Sequence, residues 1–113
     1  MKKIEAVIRP HKADDVKNAL VEAGIKGMTI SEVRGIGRQK GQTEVYRGAE
    51  YQIDFIPKIK LEVIVADDKL DAAVSAIIDA AKTGQIGDGK LFISSIDEAI
   101  RVRTEERGES ALT

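Results

Sequence analysis

The sequence predicts an α+β fold in which a strand, a helix and a second strand occur twice along 113 residues. The main observation is an internal repeat: residues 4–8 (IEAVI) and 61–65 (LEVIV) are short, mostly apolar stretches with a glutamate at the same position. Each stretch is followed by apolar residues at helical spacing and then by another short apolar stretch. Two helices that cover one face of a sheet in this order make the ferredoxin-like double βαβ sandwich.

The first half of the chain provides the first strand, the first helix and the second strand. Residues 4–8 are followed by Pro10, which cannot donate to a sheet ladder and therefore suits a strand end. In the helix that follows, Asp14 and Asp15 favour the first turn and Gly24 favours the end. Residues 28–33 alternate imperfectly and predict the second strand. The apolar stripe of the helix consists of Val16, Ala19, Leu20 and Ala23.

The second half repeats this plan after residues 61–65. Asp67 or Asp68 is expected to cap the second helix, and Gly84 to end it. Residues 91–93 (LFI) begin the closing strand, and residues 99–103 (AIRVR) are expected to add a short edge strand. The apolar stripe of the second helix consists of Leu70, Val74, Ile77, Ile78 and Ala81.

Composition excludes several classes of protein. The chain has 19 acidic and 18 basic residues, whereas a duplex nucleic-acid binder normally carries a basic surplus. It has no cysteine, which excludes disulfides, a thiol nucleophile and a cysteine metal site. Its N-terminus lacks the apolar core of a signal peptide, and no stretch approaches membrane-spanning length. We therefore expect a single cytoplasmic domain over residues 1–113, without membrane insertion.

The stretch TGQIGDGKLF, residues 83–92, resembles a P-loop but departs from it twice. Gly89 and Lys90 are followed by Leu91, where a P-loop has the Ser or Thr that reaches magnesium. The stretch also follows a helix and opens a strand, which is the reverse of the P-loop order. Its glycines and Lys90 still suit an anion nest built from backbone N–H groups. From this stretch alone, a glycine-rich connection between helix and strand remains the alternative.

The segment between the second and third strands is longer than their connection requires. A hairpin needs two to five residues, and loops longer than about 12–15 residues tend to be functional or disordered. This segment, about residues 37–55, carries Arg38, Lys40 and Arg47 together with Tyr46 and Tyr51, which are half of the aromatic residues. Tyrosine and arginine suit partner binding. The alternative is an extended hairpin with a solvated tip.

Three motifs in order, residues 33–51, 83–92 and 101–104 (RVRT), make the sequence resemble the PII nitrogen-regulatory signal-transduction proteins along essentially its whole length. The resemblance implies a homotrimer of ferredoxin-like subunits that binds ATP or ADP between neighbours, and 2-oxoglutarate with Mg-ATP. It implies a regulatory loop at about 37–55, a nucleotide loop at 83–90 and a C-terminal segment at 101–113. The implied partners are an ammonium transporter, or enzymes or regulators of nitrogen or arginine metabolism.

The resemblance also implies a role for particular residues. The long loop would present Arg47 and Tyr51 to partners or to modifying enzymes. Magnesium would be held by Gln39. Nucleotide would be bound by Thr29, Gly37, Arg38, Gln39, Glu62, Ile64, Gly87, Asp88, Gly89, Lys90, Arg101 and Arg103. 2-Oxoglutarate would be bound by Gln39, Lys40, Gly41 and Lys58.

Three positions depart from the family's pattern. Glu105 stands where members often have glycine, and Ala49 excludes the serine phosphorylation that some relatives use there. His11, the one histidine, stands where an aromatic residue is common and is expected to be structural.

The resemblance implies a regulatory protein that senses ATP, ADP and 2-oxoglutarate and is not an enzyme. Two other functions remain as alternatives. An ATP-hydrolysing enzyme would need a base, for which Asp88 is the candidate; at most slow hydrolysis is expected. A ferredoxin-like RNA-binding module would stack bases on sheet aromatics, of which Phe92 is the one on a predicted strand.

Overall fold

The computed structural model describes residues 1–36 and 55–113 in full, and the backbone of residues 43–46 and 49–52. The described elements are β1 (Lys2–Ile8), α1 (Ala13–Glu22), β2 (Thr29–Gly35), β3 (Thr43–Tyr46), β4 (Ala49–Gln52), β5 (Ile56–Val65), α2 (Leu70–Ala81) and β6 (Gly89–Ser95). Short 3₁₀ turns cover Pro10–Lys12, Asp67–Lys69 and Gly108–Leu112.

Four strands form one antiparallel sheet in the order β2-β5-β1-β6. The two strands of the internal repeat, β1 and β5, pair at its centre. The strands that close each half, β2 and β6, form its edges, and both helices are crossovers between strands. This arrangement confirms the predicted α+β, ferredoxin-like fold.

The core lies between this sheet and the two helices, because the strands alternate apolar and charged residues. Ile4, Ala6 and Ile8 of β1 are buried, as are Leu61, Val63 and Val65 of β5. They pack against Val16 and Leu20 of α1 and against Ala73, Ile77 and Ala81 of α2. Among the described residues, no helix is long and apolar enough to cross a membrane.

The predicted stripe of α2 is confirmed except at one edge. Ile77 and Ala81 are buried, and Leu70 and Val74 pack against the core. Ile78, in contrast, is 43% exposed, and Ala73 is buried although it was not predicted. Ala73 lies one turn before Ile77 and shares its face, whereas Ile78 is rotated about 100° away from it.

The ends of the helices agree with the sequence in part. Asp14 and Asp15 lie in the first turn of α1, and Gly24 follows that helix with a φ of +87°. The predicted cap of α2 is wrong, because a 3₁₀ turn precedes the helix and the N-cap, Lys69, makes no side-chain capping bond. Asp67 instead binds the amino group of Met1 at 3.0 Å, which lowers the pKa of Asp67.

The edge strand predicted over residues 99–103 is also wrong. Residues 102–104 form a turn, in which Glu105 N–H donates to the Arg101 carbonyl and Arg101 N–H to the Glu106 carbonyl. Only an isolated bridge joins Ile100 to Arg107. The turn places Glu105 at a φ of +61°, a left-handed conformation that is costly for a residue with a Cβ.

The predicted long loop contains a short antiparallel pair of strands. Thr43 of β3 pairs with Gln52 of β4, and Tyr46 pairs with Ala49. This antiparallel pair agrees with the extended hairpin that was the alternative for this segment.

Candidate functional site

The sheet face opposite the helices carries a cluster of four charges. Glu5 of β1 pairs directly with Glu62 of β5. Lys3 lies 3.9 Å from Glu5 and 3.6 Å from Glu62, and Lys60 lies 3.9 Å and 3.7 Å from the same carboxylates. Thr29 at the start of β2 pairs with Glu62, so these two predicted nucleotide residues are neighbours.

Asp88 stabilises the conformation of residues 83–89, the glycine loop. Its carboxylate accepts hydrogen bonds from the N–H groups of Thr83 at 2.8 Å and Gly84 at 2.9 Å, and from the Thr83 hydroxyl. Arg9 Nε donates to it at 3.2 Å. These donors, the Thr83 hydroxyl first, hold the pKa of Asp88 well below its usual range. A carboxylate stabilised in this way is a poor proton acceptor, which counts against Asp88 as a hydrolytic base.

Two cations bind successive carbonyl groups of the same loop. Arg9 Nη2 donates to the Ile86 carbonyl at 2.8 Å, and Lys58 Nζ donates to the Gly87 carbonyl at 2.6 Å. Burial and the charge of Arg9 lower the pKa of Lys58, and the charge of Asp88 opposes them. Lys58, a predicted 2-oxoglutarate residue, therefore contacts the predicted nucleotide loop directly.

The loop enters β6 through a position that requires glycine. Gly89 has a φ of +106°, and a Cβ on it would lie 1.8 Å from the Val7 carbonyl oxygen. Gly87 also has a positive φ, of +104°. Lys90 follows as the second residue of β6 and pairs with Val7. A cleft of about 670 Å³ is bordered by Val7, Gly35, Lys58, Gly87, Gly89 and Lys90, among others.

The second predicted group of site residues lies around the C-terminal segment. Ile64, Gly27 and Leu112 line a cavity of about 200 Å³ together with neighbouring residues. Arg101 donates to the Glu106 carboxylate at 3.0 Å, to the Ser110 carbonyl at 3.2 Å and to the Thr113 main-chain oxygen. The side chain of Arg103 is exposed.

Within a single chain, the site residues around the glycine loop and those around the C-terminal segment lie far apart. Gly89, Ile8 and Ile59 form a row across one end of the sheet. Ser95, Lys2 and Val65 form the row at the other end, six residues away along β1. At about 3.3 Å per residue, roughly 20 Å separates these rows. Lys58 and the glycine loop lie at the first end, Ile64 and Arg101 at the second, and the Thr29–Glu62 pair between them.

Part of the predicted site lies outside the described residues. These positions are Gly37, Arg38, Gln39, Lys40, Gly41 and Arg47, whose roles stay predictions. Tyr51 belongs to β4, but its side chain is likewise not described. In the part of the chain that the structure describes, no group of three or more His, Asp or Glu could hold a metal ion.

Two residues that shape the loop, Arg9 and Thr83, are not among the contact residues predicted from the sequence, although Thr83 begins the predicted nucleotide loop. Thr83 donates to Asp88 from both its N–H group and its hydroxyl, and capping bonds between a hydroxyl residue and a nearby aspartate are a recognisable signal. Arg9 is 77 residues from Ile86 and 79 from Asp88, so no local pattern indicates these contacts.

Comparisons with known proteins agree over nearly the full length. A family model described as nitrogen regulatory protein P-II matches residues 1–106. Proteins named nitrogen regulatory protein P-II from Rhodobacter capsulatus and Haemophilus influenzae are 59% and 60% identical to this chain over 112 residues. A protein of the same name from Nostoc punctiforme is 60% identical. Each alignment covers 99% of this chain and 100% of the relative.

Proposed function

This chain belongs to the nitrogen regulatory protein P-II family and is a signal-transduction regulator of nitrogen metabolism; we propose that it senses ATP, ADP and 2-oxoglutarate. The observation that supports this proposal most directly is the 2.6 Å bond from Lys58 to the Gly87 carbonyl. It joins a residue proposed for 2-oxoglutarate to the loop proposed for the nucleotide phosphates.

The charge of the loop suits a phosphate group. Arg9 and Lys58 contact the loop, and Lys90 follows it, whereas Asp88 is the carboxylate that closes it. Thr83, Gly84 and Arg9 all donate hydrogen bonds to the Asp88 carboxylate, and these donors offset much of its negative charge within the loop. The cleft bordered by Gly87, Gly89 and Lys90 is therefore the proposed phosphate site.

The complete nucleotide site requires two chains. The glycine loop and Arg101 lie near rows of the sheet that are roughly 20 Å apart, so we propose that one phosphate group of a bound nucleotide contacts them on different chains. In the proposed homotrimer, the glycine loop of one subunit faces Thr29, Glu62, Ile64, Arg101 and Arg103 of its neighbour. The sheet face opposite the helices also carries Phe92, which is 54% exposed and suits burial against another subunit.

The 2-oxoglutarate site is proposed at Lys58, beside Gln39, Lys40 and Gly41. The single carboxamide of Gln39 cannot hold magnesium alone, so the ion fits only together with nucleotide phosphates. Magnesium bound there supplies a point of attachment for the keto acid. Lys58 must share or leave the Gly87 carbonyl in order to pair with the effector's carboxylate, which links effector binding to the glycine loop.

The sensing step is proposed to act on partners through the segment 37–55. Gln39 and Lys40 begin this segment, and Arg47 and Tyr51 lie further along it. Ligand binding at its base would change how it is presented to partners. The proposed partners are an ammonium transporter, or enzymes or regulators of nitrogen or arginine metabolism, and the proposed location is the cytoplasm.

The two alternative functions have weaker support. Hydrolysis of ATP would require a base, and the donors around Asp88 disfavour that role. An RNA-binding sheet would expose several aromatics. The centre of this face instead carries a cluster of two lysines and two glutamates, and Phe92 is the one aromatic residue on the four strands of the described sheet.

Isothermal titration calorimetry of 2-oxoglutarate tests the proposal in the presence of Mg-ATP, Mg-ADP or no nucleotide. We expect strong coupling: tight binding with Mg-ATP and weak binding in the other two conditions, with each ligand tightening the other by the same factor. Gln39→Ala should abolish this coupling, and Lys17→Ala, on the exposed face of α1, should retain it. Equal affinity in all three conditions would contradict the sensing mechanism.

A further inference from the structure

We propose that Arg9 is a positioning residue that holds the glycine loop in its phosphate-binding shape and thereby sets the affinity for nucleotide. This inference rests on the proposed nucleotide function. It assigns a role to Arg9, which is not among the residues proposed to contact nucleotide or 2-oxoglutarate.

The guanidinium group of Arg9 makes two different contacts with the loop. Nε donates to the Asp88 carboxylate at 3.2 Å, and Nη2 donates to the Ile86 carbonyl at 2.8 Å. The side chains of Arg9 and Asp88 are only 19% and 22% exposed. A planar guanidinium presents both donors at fixed separation, which a lysine ammonium cannot do.

The backbone of Arg9 is itself well fixed. Ile8, the preceding residue, ends β1 and is buried in the core. Pro10 restricts the conformation on the other side, and the Arg9 carbonyl accepts a bond from Lys12 N–H at 3.0 Å. The side chain therefore extends from a rigid position at the end of the sheet, so that its two contacts tie the loop to the core.

The contact with Ile86 determines the direction of a neighbouring N–H group. The described chain has no cis peptide bond, so the Ile86 carbonyl and the Gly87 N–H point in opposite directions across one peptide plane. When Arg9 holds the carbonyl, the Gly87 N–H points away from the guanidinium. Gly87 borders the cleft that also contains Lys58 and Lys90. Arg9 thus orients a backbone donor at the cleft, although Arg9 is not itself among the residues that border the cleft.

Arg9 also affects the charge balance at the cleft. It lies close enough to Lys58 for the two positive charges to repel, and Asp88 lies near both. Asp88 thus lets two cations occupy the same end of the sheet. Replacing Arg9 removes one of these cations and leaves the Asp88 carboxylate, still held by Thr83 and Gly84, without its cationic partner beside the proposed phosphate site, and both changes disfavour an anion.

Calorimetry of Mg-ATP binding to Arg9→Gln, Arg9→Lys and the parent protein tests this inference, with Arg107→Gln as the matched control. Arg107 is an exposed arginine that contacts Glu98 at 3.8 Å and does not reach the glycine loop. We expect Arg9→Gln to weaken ATP binding about tenfold, since a charge-assisted contact is lost. Arg9→Lys should recover part of that loss because it keeps the charge, and Arg107→Gln should bind like the parent.

The amide resonance of Gly87 in ¹⁵N spectra of ligand-free protein provides a second measurement. It should move in Arg9→Gln and Arg9→Lys and stay unchanged in Arg107→Gln. If Arg9→Gln folds and binds ATP like the parent, or if the Gly87 resonance does not move in Arg9→Lys, Arg9 does not position the loop. If the parent itself binds no ATP, the proposed function fails, and the Gly87 resonance alone then decides whether Arg9 holds the loop.

Discussion

Glu5 and Glu62 lie directly opposite each other on the two central strands of the sheet, and the same two lysines contact both carboxylates. Like charges at a cross-strand pair repel, so the pair depends on Lys3 and Lys60. The glutamates occupy equivalent places in the two halves of the internal repeat. The repeat is therefore visible in the fold as a pair of like charges held by shared counterions.

Replacing these lysines should reveal that they act together. Lys3→Met or Lys60→Met alone should lower the free energy of unfolding by about 0.5–1 kcal/mol, because one shared counterion remains. The double variant should lose more than the sum, since both carboxylates are then uncompensated. Urea denaturation at one protein concentration measures this, with Lys17→Met as the control on α1. Strict additivity would show that the cluster is not coupled.

Gly89 should tolerate no side chain. Gly89→Ala should lower the free energy of unfolding by more than roughly 3 kcal/mol, because strain at positive φ adds to a Cβ contact of 1.8 Å with the Val7 carbonyl. Gly84→Ala is a matched control, since Gly84 also has a positive φ but no heavy atom lies within 4 Å of its added Cβ. It should lose only about 1–2 kcal/mol. Similar losses by urea denaturation would mean that the close approach to Val7 is unimportant.

Glu105→Gly should stabilise the protein. Glu105 has a φ of +61°, and glycine removes a cost of about 1–2 kcal/mol while adding about 0.5–1 kcal/mol of chain entropy to the unfolded state. The net gain should be roughly 0.5–1 kcal/mol in thermal or urea denaturation. Glu105→Val, which is β-branched, should be destabilised. A loss of stability in Glu105→Gly would imply that the glutamate side chain contributes more than the strain costs.

Asp88 should make stability depend on acidic pH. Its pKa is lower in the folded protein than its ordinary value of 3.8, so its contribution is present above pH 4 and is lost as the pH falls further. The stability difference between the parent and Asp88→Asn should therefore be constant from about pH 5 to 7 and shrink below about pH 4. Urea denaturation across this range measures it, with Asp97→Asn as a control at an exposed turn. A difference that grows in acid would contradict the sign of the shift.

Arg101 and Arg103 should be separable although both are proposed phosphate contacts. Either alanine variant should weaken ATP binding about ten- to a hundred-fold, because a charge-assisted bond is lost. Only Arg101→Ala should also speed amide exchange over Gly108–Leu112, since Arg101 binds the Ser110 and Thr113 main-chain oxygens. Calorimetry and hydrogen exchange measure the two effects. If Arg103→Ala loosens the C-terminal segment equally, the assignment of the two arginines is wrong.

The sequence predicted the parts of the fold that follow from local periodicity. Val16 and Leu20 repeat at helical spacing and are buried as expected. Ile100 and Val102 alternate like a strand, yet Val102 is 95% exposed, because the backbone bonds of Arg101 close a turn there. Alternation describes side chains and carries no information on which backbone groups find partners.

The candidate site, like the fold, could be predicted from the sequence where its signal is local. Lys90 and the glycines could be named from a motif, since an anion nest has a short, local signature. The contacts of Lys58 with Gly87 and of Arg9 with Asp88 could not, because they join residues that only the sheet brings together. The cap predicted at Asp67 failed for a related reason: Met1, distant along the chain, lies at the other end of its ion pair.

If the nucleotide site is shared between subunits as proposed, two variants of this chain with different defects should restore an intact site when they assemble together. In the proposed homotrimer, each subunit would present its glycine loop to one neighbour and Arg101 and Arg103 to the other, because the rows of the sheet near the two groups are roughly 20 Å apart on one chain. A subunit carrying Lys90→Gln keeps sound arginines, and a subunit carrying Arg103→Ala keeps a sound loop. Neither variant alone would then have an intact cleft, but a mixed trimer would have one wherever an unaltered loop faces unaltered arginines. Two such alleles expressed in one cell should therefore complement each other, whereas one allele carrying both changes in a single chain should not.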